Sequence, residues 1–540
     1  MTVRIGRILA ALFCLLAASL AFVACGGSGG NTSAVLRVGT LGDIDSLNPF
    51  VAISNQAAEV TSLTLPTLVV YDNAGQIKPE LARSWKISAD GKSATFTLAS
   101  GGKWSDGKPL TADDALWTIR TVLRIPTLNI SSYAPSVAGV SSTGPTNLTV
   151  RFRTPAANAL DQLTLLPIVP RHVWERYAKG DGKQLQTFTD PAPIVGGGPF
   201  YVRSYRKGQA LTLDRNPGYF GPAPHVARIG FAFYSNPDAL SSAVTHGEVD
   251  AAERVQPSGA KKLSSDRLAV EAPNSLNELF FTINSSPRAK HPELRDPLVR
   301  QALDLAIDRN RVVQTGYYGF GTPGSSMVPP VMPASHLQAA PTPFDIARAN
   351  ALLDQAGFKR GADGTRVANG HPMSYDVIVL QDPTGPETAT LTILTEDFAK
   401  LGIKVRGRVL DAAAAVTGIF GPGNKYSTFD FGLLTVSGTV DPTAVLGYQL
   451  CASFGVSNFA GYCNPKYDAL YAKVGATTDP AARKAQLDQL QQILLNDRPI
   501  LLVAYAKDVY VHSTAWTGFA AGPGGWFQKT LETALSVQHK

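Results

Sequence analysis

Between Tyr375 and Leu410 the spacing of apolar residues changes twice, and that change constrains the fold more than any other stretch of the chain. Residues 375–380 and 403–410 read as strands. Between them Leu391, Leu394, Phe398 and Leu401 recur every three or four positions, which predicts a helix over 388–401 that stops at Gly402. Strand, helix and strand in so short a span form a βαβ crossover, which sets two strands parallel and needs helices to cover the sheet. A layered α/β fold with mixed sheets is expected. At 540 residues the chain exceeds what one hydrophobic core serves, so two or more lobes are expected.

The first 24 residues belong to no lobe. Arg4 and Arg7 precede an apolar run, Ile8 to Val23, that falls short of the roughly 20 residues of a membrane span and has the basic-then-apolar order of a secretory signal. It ends at Phe22-Val23-Ala24-Cys25, which resembles a bacterial lipobox with Phe22 in place of the usual Leu. The resemblance implies that Cys25 is lipidated; cleavage beside an incidental Cys is the alternative. Residues 25–33 then read as the anchored Cys and a Gly/Ser tether. The formal net charge is +7, two units of which sit in the leader, and the rest is spread without a Lys/Arg block, so nucleic acid is not an expected partner. Of four Cys, Cys14 falls in the leader and Cys25 at the anchor. Cys451 and Cys463 remain as an even pair, which in an exported chain points to a disulfide.

Further elements are legible from local signals. Residues 84–98 predict a hairpin turning at Asp90-Gly91. Thr111 is a helix N-cap with Asp114 in capping-box position. Asp296-Pro297 opens a helix with Val299, Ala302, Leu303, Ala306 and Ile307 inward, closing near Gly316. Helices are also expected from Asp345 to Ala356 and onward from Asp479-Pro480.

Catalytic signatures are sparse. The eight His show neither H-E-x-x-H nor i, i+4 pairing, and none lies near Cys451 or Cys463, so no metal site and no cofactor are expected. One G-x-S-x-G string, Gly26 to Gly30, falls in the tether and not on a strand-turn-helix elbow. Gly196-Gly197-Gly198 lacks the Lys-Ser/Thr of a phosphate loop and reads as a tight turn. A binder is expected rather than an enzyme, with an exported hydrolase as the rival class.

Several strings, taken in order, resemble the peptide/nickel class of ABC-transporter substrate-binding lipoproteins, the dipeptide- and oligopeptide-binding proteins. They are Asp45-Ser46-Leu47-Asn48-Pro49, Pro79-Glu80-Leu81-Ala82-Arg83-Ser84-Trp85, Lys103-Trp104-Ser105-Asp106-Gly107, Gly197-Gly198-Pro199-Phe200-Tyr201, Arg215-Asn216-Pro217-Gly218-Tyr219, and Val299 to Arg309. Residues 451–465 resemble the disulfide loop of dipeptide-binding members. The resemblance implies a two-lobed periplasmic-binding-protein fold hinged around a ligand cleft. Lobe I would span 34–275, completed by 505–540, and lobe II 276–504. It also implies a monomeric receptor, facing the periplasm or cell exterior, that hands peptide to ABC permease subunits.

The ligand contacts so implied are Ser54, Asn55 and Gln56, Ser437, Gly438 and Thr439, and Asn458 and Phe459 in the disulfide loop, with Trp104 and Tyr462 as aromatic walls. Two anchors depart from the family pattern. The acid that pairs with a peptide's ammonium falls at Gly438, and the base that meets its carboxylate falls at Asp382. Asp441, the nearest acid, reads as a cap before Pro442. Free dipeptides would therefore bind poorly, and the expected ligand is a longer or modified peptide, or a non-peptide solute such as an oligosaccharide, opine or metal chelate.

Overall fold

A computed structural model describes residues 34–540 other than 156, 191, 381–384, 439, 523 and 529. The leader, Cys25, the tether, Asp382 and Thr439 therefore lie outside the described residues.

Strand Val35–Leu41 nucleates a seven-stranded mixed sheet, pairing in parallel with Arg228–Tyr234 on one side and Ala251–Ala252 on the other. Ala210–Arg215 and Phe200–Arg206 extend one edge antiparallel, and Tyr510–Ser513 and Leu268–Glu271 extend the other. Gly198 sits at the entry to Phe200–Arg206, where the N–H groups of Gly197 and Gly198 both donate to the Thr64 carbonyl. A Cβ on Gly198 would lie 2.6 Å from the Leu63 carbonyl oxygen, so the glycine run is the tight turn its composition suggests.

A six-stranded mixed sheet runs in the order Gly321–Pro323, Ile500–Lys507, Asn274–Ile283, Phe431–Ser437, Ser374–Leu380, Lys404–Leu410. The last two strands pair in parallel along their length, joined by helix Glu387–Lys400, and so form the crossover that the apolar spacing predicts. Both faces of this sheet are covered. On Asn274–Ile283, Leu279, Phe281 and Ile283 enter one apolar cluster while Leu276 and Phe280 enter another, as strand alternation requires.

A four-stranded antiparallel sheet contains the expected hairpin, Ala82–Ile87 with Ser93–Leu98. Helix Ala112–Arg124 covers it, with the Thr111–Asp114 capping box formed and Ala115, Ile119 and Val122 buried. Trp104 belongs to this core and is only 1% exposed, its indole N–H directed to Asp114 Oδ2 at 3.3 Å. The reading of Trp104 as a cleft wall is thereby corrected: its ring packs inside the hydrophobic cluster under the four-stranded sheet.

The helix opened by Asp296-Pro297 is two helices, Pro297–Leu305 and Arg309–Gly316. Asp308 breaks the run by capping the second through the Arg311 N–H at 2.9 Å, and the buried pair Arg309–Asp304, at 2.5 Å, straddles the break. Periodicity alone carries no sign of that break, because the apolar face continues through Ala306 and Ile307.

Candidate functional site

The chain passes from the seven-stranded to the six-stranded sheet between Glu271 and Asn274, and back between Lys507 and Tyr510. These two crossings touch: the Asp508 N–H donates to the Pro273 carbonyl at 3.2 Å. Two short strand-to-strand connections side by side form a hinge, on which the two sheet layers can approach or part.

At this hinge lies a cavity of about 780 Å³. One wall is made by Leu41, Asn55, Gln56 and residues 254–258, the opposite wall by residues 315–318, Pro386, Thr388 and Thr435, and the floor by Asn277 and residues 506–509. Leu41 and Arg254 stand at and just past the C-terminal ends of the parallel strands Val35–Leu41 and Ala251–Ala252, where open α/β sheets place their ligands. Most of the polar groups lining the cavity are uncharged amides and hydroxyls, among them Asn55, Gln256, Asn277, Thr388 and Thr435. Such groups can donate to and accept from a ligand's own amide groups without selecting for its charge. Tyr318, 48% exposed and in the left-handed backbone region at φ 53°, adds an aromatic surface.

Charge gathers where the wall of residues 254–258 meets the floor. Arg254 Nη2 meets Glu59 Oε1 at 2.7 Å, and the Glu59 side chain, on the inward face of helix Asn55–Thr64, is only 3% exposed. The Glu59 charge holds the Arg254 guanidinium protonated, its pKa raised further against the opposing effect of burial. Burial, then the Glu59 charge, pushes the Glu253 carboxyl well above the ordinary range. Asp508 is likewise raised by burial, opposed by Arg254, and its Oδ1 accepts from Asn277 Nδ2 at 3.3 Å. One guanidinium thus stands among three carboxyls, two of which burial drives toward their neutral form.

A second contact joins the four-stranded region to the part of the chain that carries the six-stranded sheet. Asn158 Nδ2 donates to Asp441 Oδ2 at 2.6 Å, Tyr71 donates to Asp161 Oδ1 at 2.7 Å, and Arg483 approaches Asp441 at 3.6 Å. Burial, with the Asp441 charge second, pushes Asp161 up to about 6. Because that value lies above the unfolded value of about 3.9, the folded state binds the proton more tightly. The contact is therefore strongest below the unfolded value, weakens as pH rises toward the folded value, and is steady above it. Asp161→Asn keeps an acceptor for Tyr71 without the charge, so we expect it to match wild type near pH ~4 and to exceed it by on the order of 2 kcal/mol at pH ~7. Chemical denaturation of both proteins across this range checks the expectation; parallel profiles would contradict it.

The residues expected from the sequence divide three ways. Asn55 and Gln56 line the cleft, with Gln56 held by a bond from Nε2 to the Leu41 carbonyl at 2.5 Å. Ser437 is exposed at the end of Phe431–Ser437 and, two residues on from Thr435, shares its face. Ser54 caps helix Asn55–Thr64 and bonds to Asp45, and it opens into a smaller cavity of about 240 Å³. Gly438 donates its N–H to the Leu276 carbonyl, and a Cβ there would meet that oxygen at 3.2 Å, so the strand edge leaves little room for a side chain. Asn458, Phe459 and Tyr462 are corrected to structural roles. The Asn458 amide is fully buried and spends its N–H groups on the Leu450 and Tyr462 carbonyls. Phe459 stacks on Phe420, and Tyr462 donates its hydroxyl to Asp497. Asp441 caps helix Pro442–Gly447 as its sequence context suggests. Arg254, Asp508, Tyr318 and Thr435 escaped the sequence reading, since no local pattern marks them.

Residues 76–455 match the family described as bacterial extracellular solute-binding proteins, family 5 middle. A two-lobed solute receptor is the class that the hinge and the cleft define, and the chain belongs to this family. It is 28% identical to Protein XP55 of Streptomyces lividans, over 90% of this chain and 89% of that one. It is 26% identical to di/tripeptide-binding protein 1 of Pseudomonas aeruginosa, over 81% and 82%. Among solved structures, the oligopeptide-binding protein AppA of Bacillus subtilis, in complex with a nonapeptide, superposes with a TM-score of 0.74 at 20% identity, covering 95% of this chain and 100% of that one.

Proposed function

We propose that the protein is the extracytoplasmic receptor of an ABC importer, closing on a peptide or peptide-like solute in the hinge cleft and delivering it to permease subunits. The observation that carries this reading is the cleft of about 780 Å³ between the two sheets, whose walls offer mainly uncharged amide and hydroxyl groups. A peptide backbone needs such partners at each residue, and side chains of many kinds are then tolerated. The names of di/tripeptide-binding protein 1 and of the nonapeptide-bound AppA support the same ligand class. Lobe I would comprise 34–275 with the C-terminal return, and lobe II the segment carrying the six-stranded sheet. Asn55, Gln56, Tyr318, Thr435 and Ser437 are the contacts proposed.

With Gly438 where peptide binders place an acid, the ligand's ammonium lacks that anchor, so the reading favours peptides longer than two residues or with modified termini. A lipid on Cys25 and the tether after it would hold the receptor at the membrane, since no helix among the described residues is long and apolar enough to cross one. Incubating the purified protein with a mixed library of two- to nine-residue peptides, followed by native mass spectrometry, tests the function. Capture of intact peptides in one-to-one complexes is expected; release of cleaved products would instead indicate a hydrolase.

A further inference from the structure

Away from the cleft, three segments converge behind the six-stranded sheet. They are the turn Pro292–Arg295 with His291 before it, the hairpin formed by Val367–Ala368 and His371–Pro372, and Asp430 at the start of strand Phe431–Ser437. The hairpin reverses at Asn369-Gly370, both in the left-handed region at φ 51° and 85°, the pairing a two-residue turn of this kind requires. This turn sets the His371 ring 5.2 Å, centre to centre, from the His291 ring.

The Glu293 carboxylate accepts three hydrogen bonds. Oε1 accepts from His291 Nδ1 at 3.1 Å and from the Tyr375 hydroxyl at 3.0 Å, and Oε2 accepts from Asn369 Nδ2 at 3.2 Å. Since a carboxylate only accepts, His291 Nδ1 carries the proton, and in the neutral ring Nε2 is left with a lone pair. The His291 side chain is 6% exposed, and Nε2 has no hydrogen-bond partner. Asp430 Oδ1 stands 3.8 Å from it, too far for a hydrogen bond. His371 Nδ1 is also buried and without a partner. Donor atoms of His291, Glu293 and His371 lie within 4.8 Å of one another.

Two buried imidazole nitrogens without partners each cost desolvation energy unless a ligand meets them. A ring nitrogen that donates to a carboxylate while its opposite nitrogen points into a polar gap is the arrangement by which proteins orient histidine toward a metal. We propose that His291 and His371 bind one divalent transition-metal ion of the zinc, cobalt or nickel type, with Glu293, whose carboxylate converges with both rings, orienting His291. Imidazole donors suit these ions, whereas calcium and magnesium want oxygen ligands. The ion would pin the 367–372 hairpin to the turn before helix Pro297–Leu305.

The test uses untagged protein stripped with chelator and titrated with CoCl2, then ZnCl2. We expect one Co²⁺ per chain with visible ligand-field absorption, its displacement by Zn²⁺, and a rise in the unfolding midpoint on loading. His371→Ala, on a half-buried hairpin, and His291→Ala should each weaken Co²⁺ binding by at least about tenfold with the far-UV circular dichroism retained. Absence of saturable binding in the wild type at micromolar metal, or undiminished binding in both variants, would overturn the assignment. Should one variant fold poorly, the wild-type titration and the other variant still decide.

Discussion

Replacing Arg254 by Ala is expected to destabilise the protein by about 3 kcal/mol or more, because it strands Glu59 without its cation in a buried position. The carboxylate is 3% exposed and meets Arg254 at 2.7 Å, so without the guanidinium it keeps no cation in contact. A second substitution separates this cause from lost packing. Arg254→Ala combined with Glu59→Gln removes both charges and should recover much of the loss, giving a non-additive double-mutant cycle. Urea unfolding at neutral pH measures it. Additive losses would mean that the two side chains act independently and that the floor of the cleft is not organised around their pairing. Because Arg254 lines the cleft, the single variant should also weaken ligand capture, while the double variant restores stability without restoring the charge pattern.

The second large effect belongs to the Cys451–Cys463 bond, which joins residues 12 apart in sequence. Converting both cysteines to Ser should cost about 3 kcal/mol by the chain-entropy argument for a loop of this size. The loop holds the buried Asn458 amide and stacks Phe459 on Phe420, so the loss should be accompanied by loosening around Phe420. Denaturant midpoints of oxidised wild type and the double Ser variant give the magnitude. Alkylation of the denatured, unreduced exported protein should label neither cysteine; labelling of both would exclude the bond in the exported protein.

What could be read in the sequence follows from how far apart the determinants lie. The Thr111–Asp114 capping box, the Asp90-Gly91 hairpin and the 374–410 crossover depend on residues within a few turns of one another, and each forms in the structure. The break after Leu305 is just as local, but Asp308 capping and the Asp304–Arg309 pair are masked by a continuous apolar face. The candidate site is less legible because its residues lie far apart in sequence. Arg254, Tyr318, Thr435 and Asp508 come together only through the two sheet crossings. Asn55 and Gln56, expected only through the family resemblance beyond the Asn48-Pro49 segment, line the cavity, whereas Trp104 and Asn458 are buried; an aromatic and an amide look alike in sequence whether they face solvent or core. His291 and His371, 80 positions apart, fit no metal-ligand spacing, and only the Asn369-Gly370 turn brings their rings within 5.2 Å.

The central claim is that solute binds between the two sheets at the hinge. Thr435→Trp places an indole on the cleft wall, from a half-buried position near the end of a strand. Calorimetric titration of wild type and this variant with a peptide captured from the library tests the claim most directly. The account predicts at least about a tenfold loss of affinity, equivalent to about 1.4 kcal/mol, in a variant that stays folded by far-UV circular dichroism although it loses the Thr435 hydroxyl bond to the buried Glu387. Full-strength binding by a folded Thr435→Trp protein would place the ligand elsewhere and contradict it.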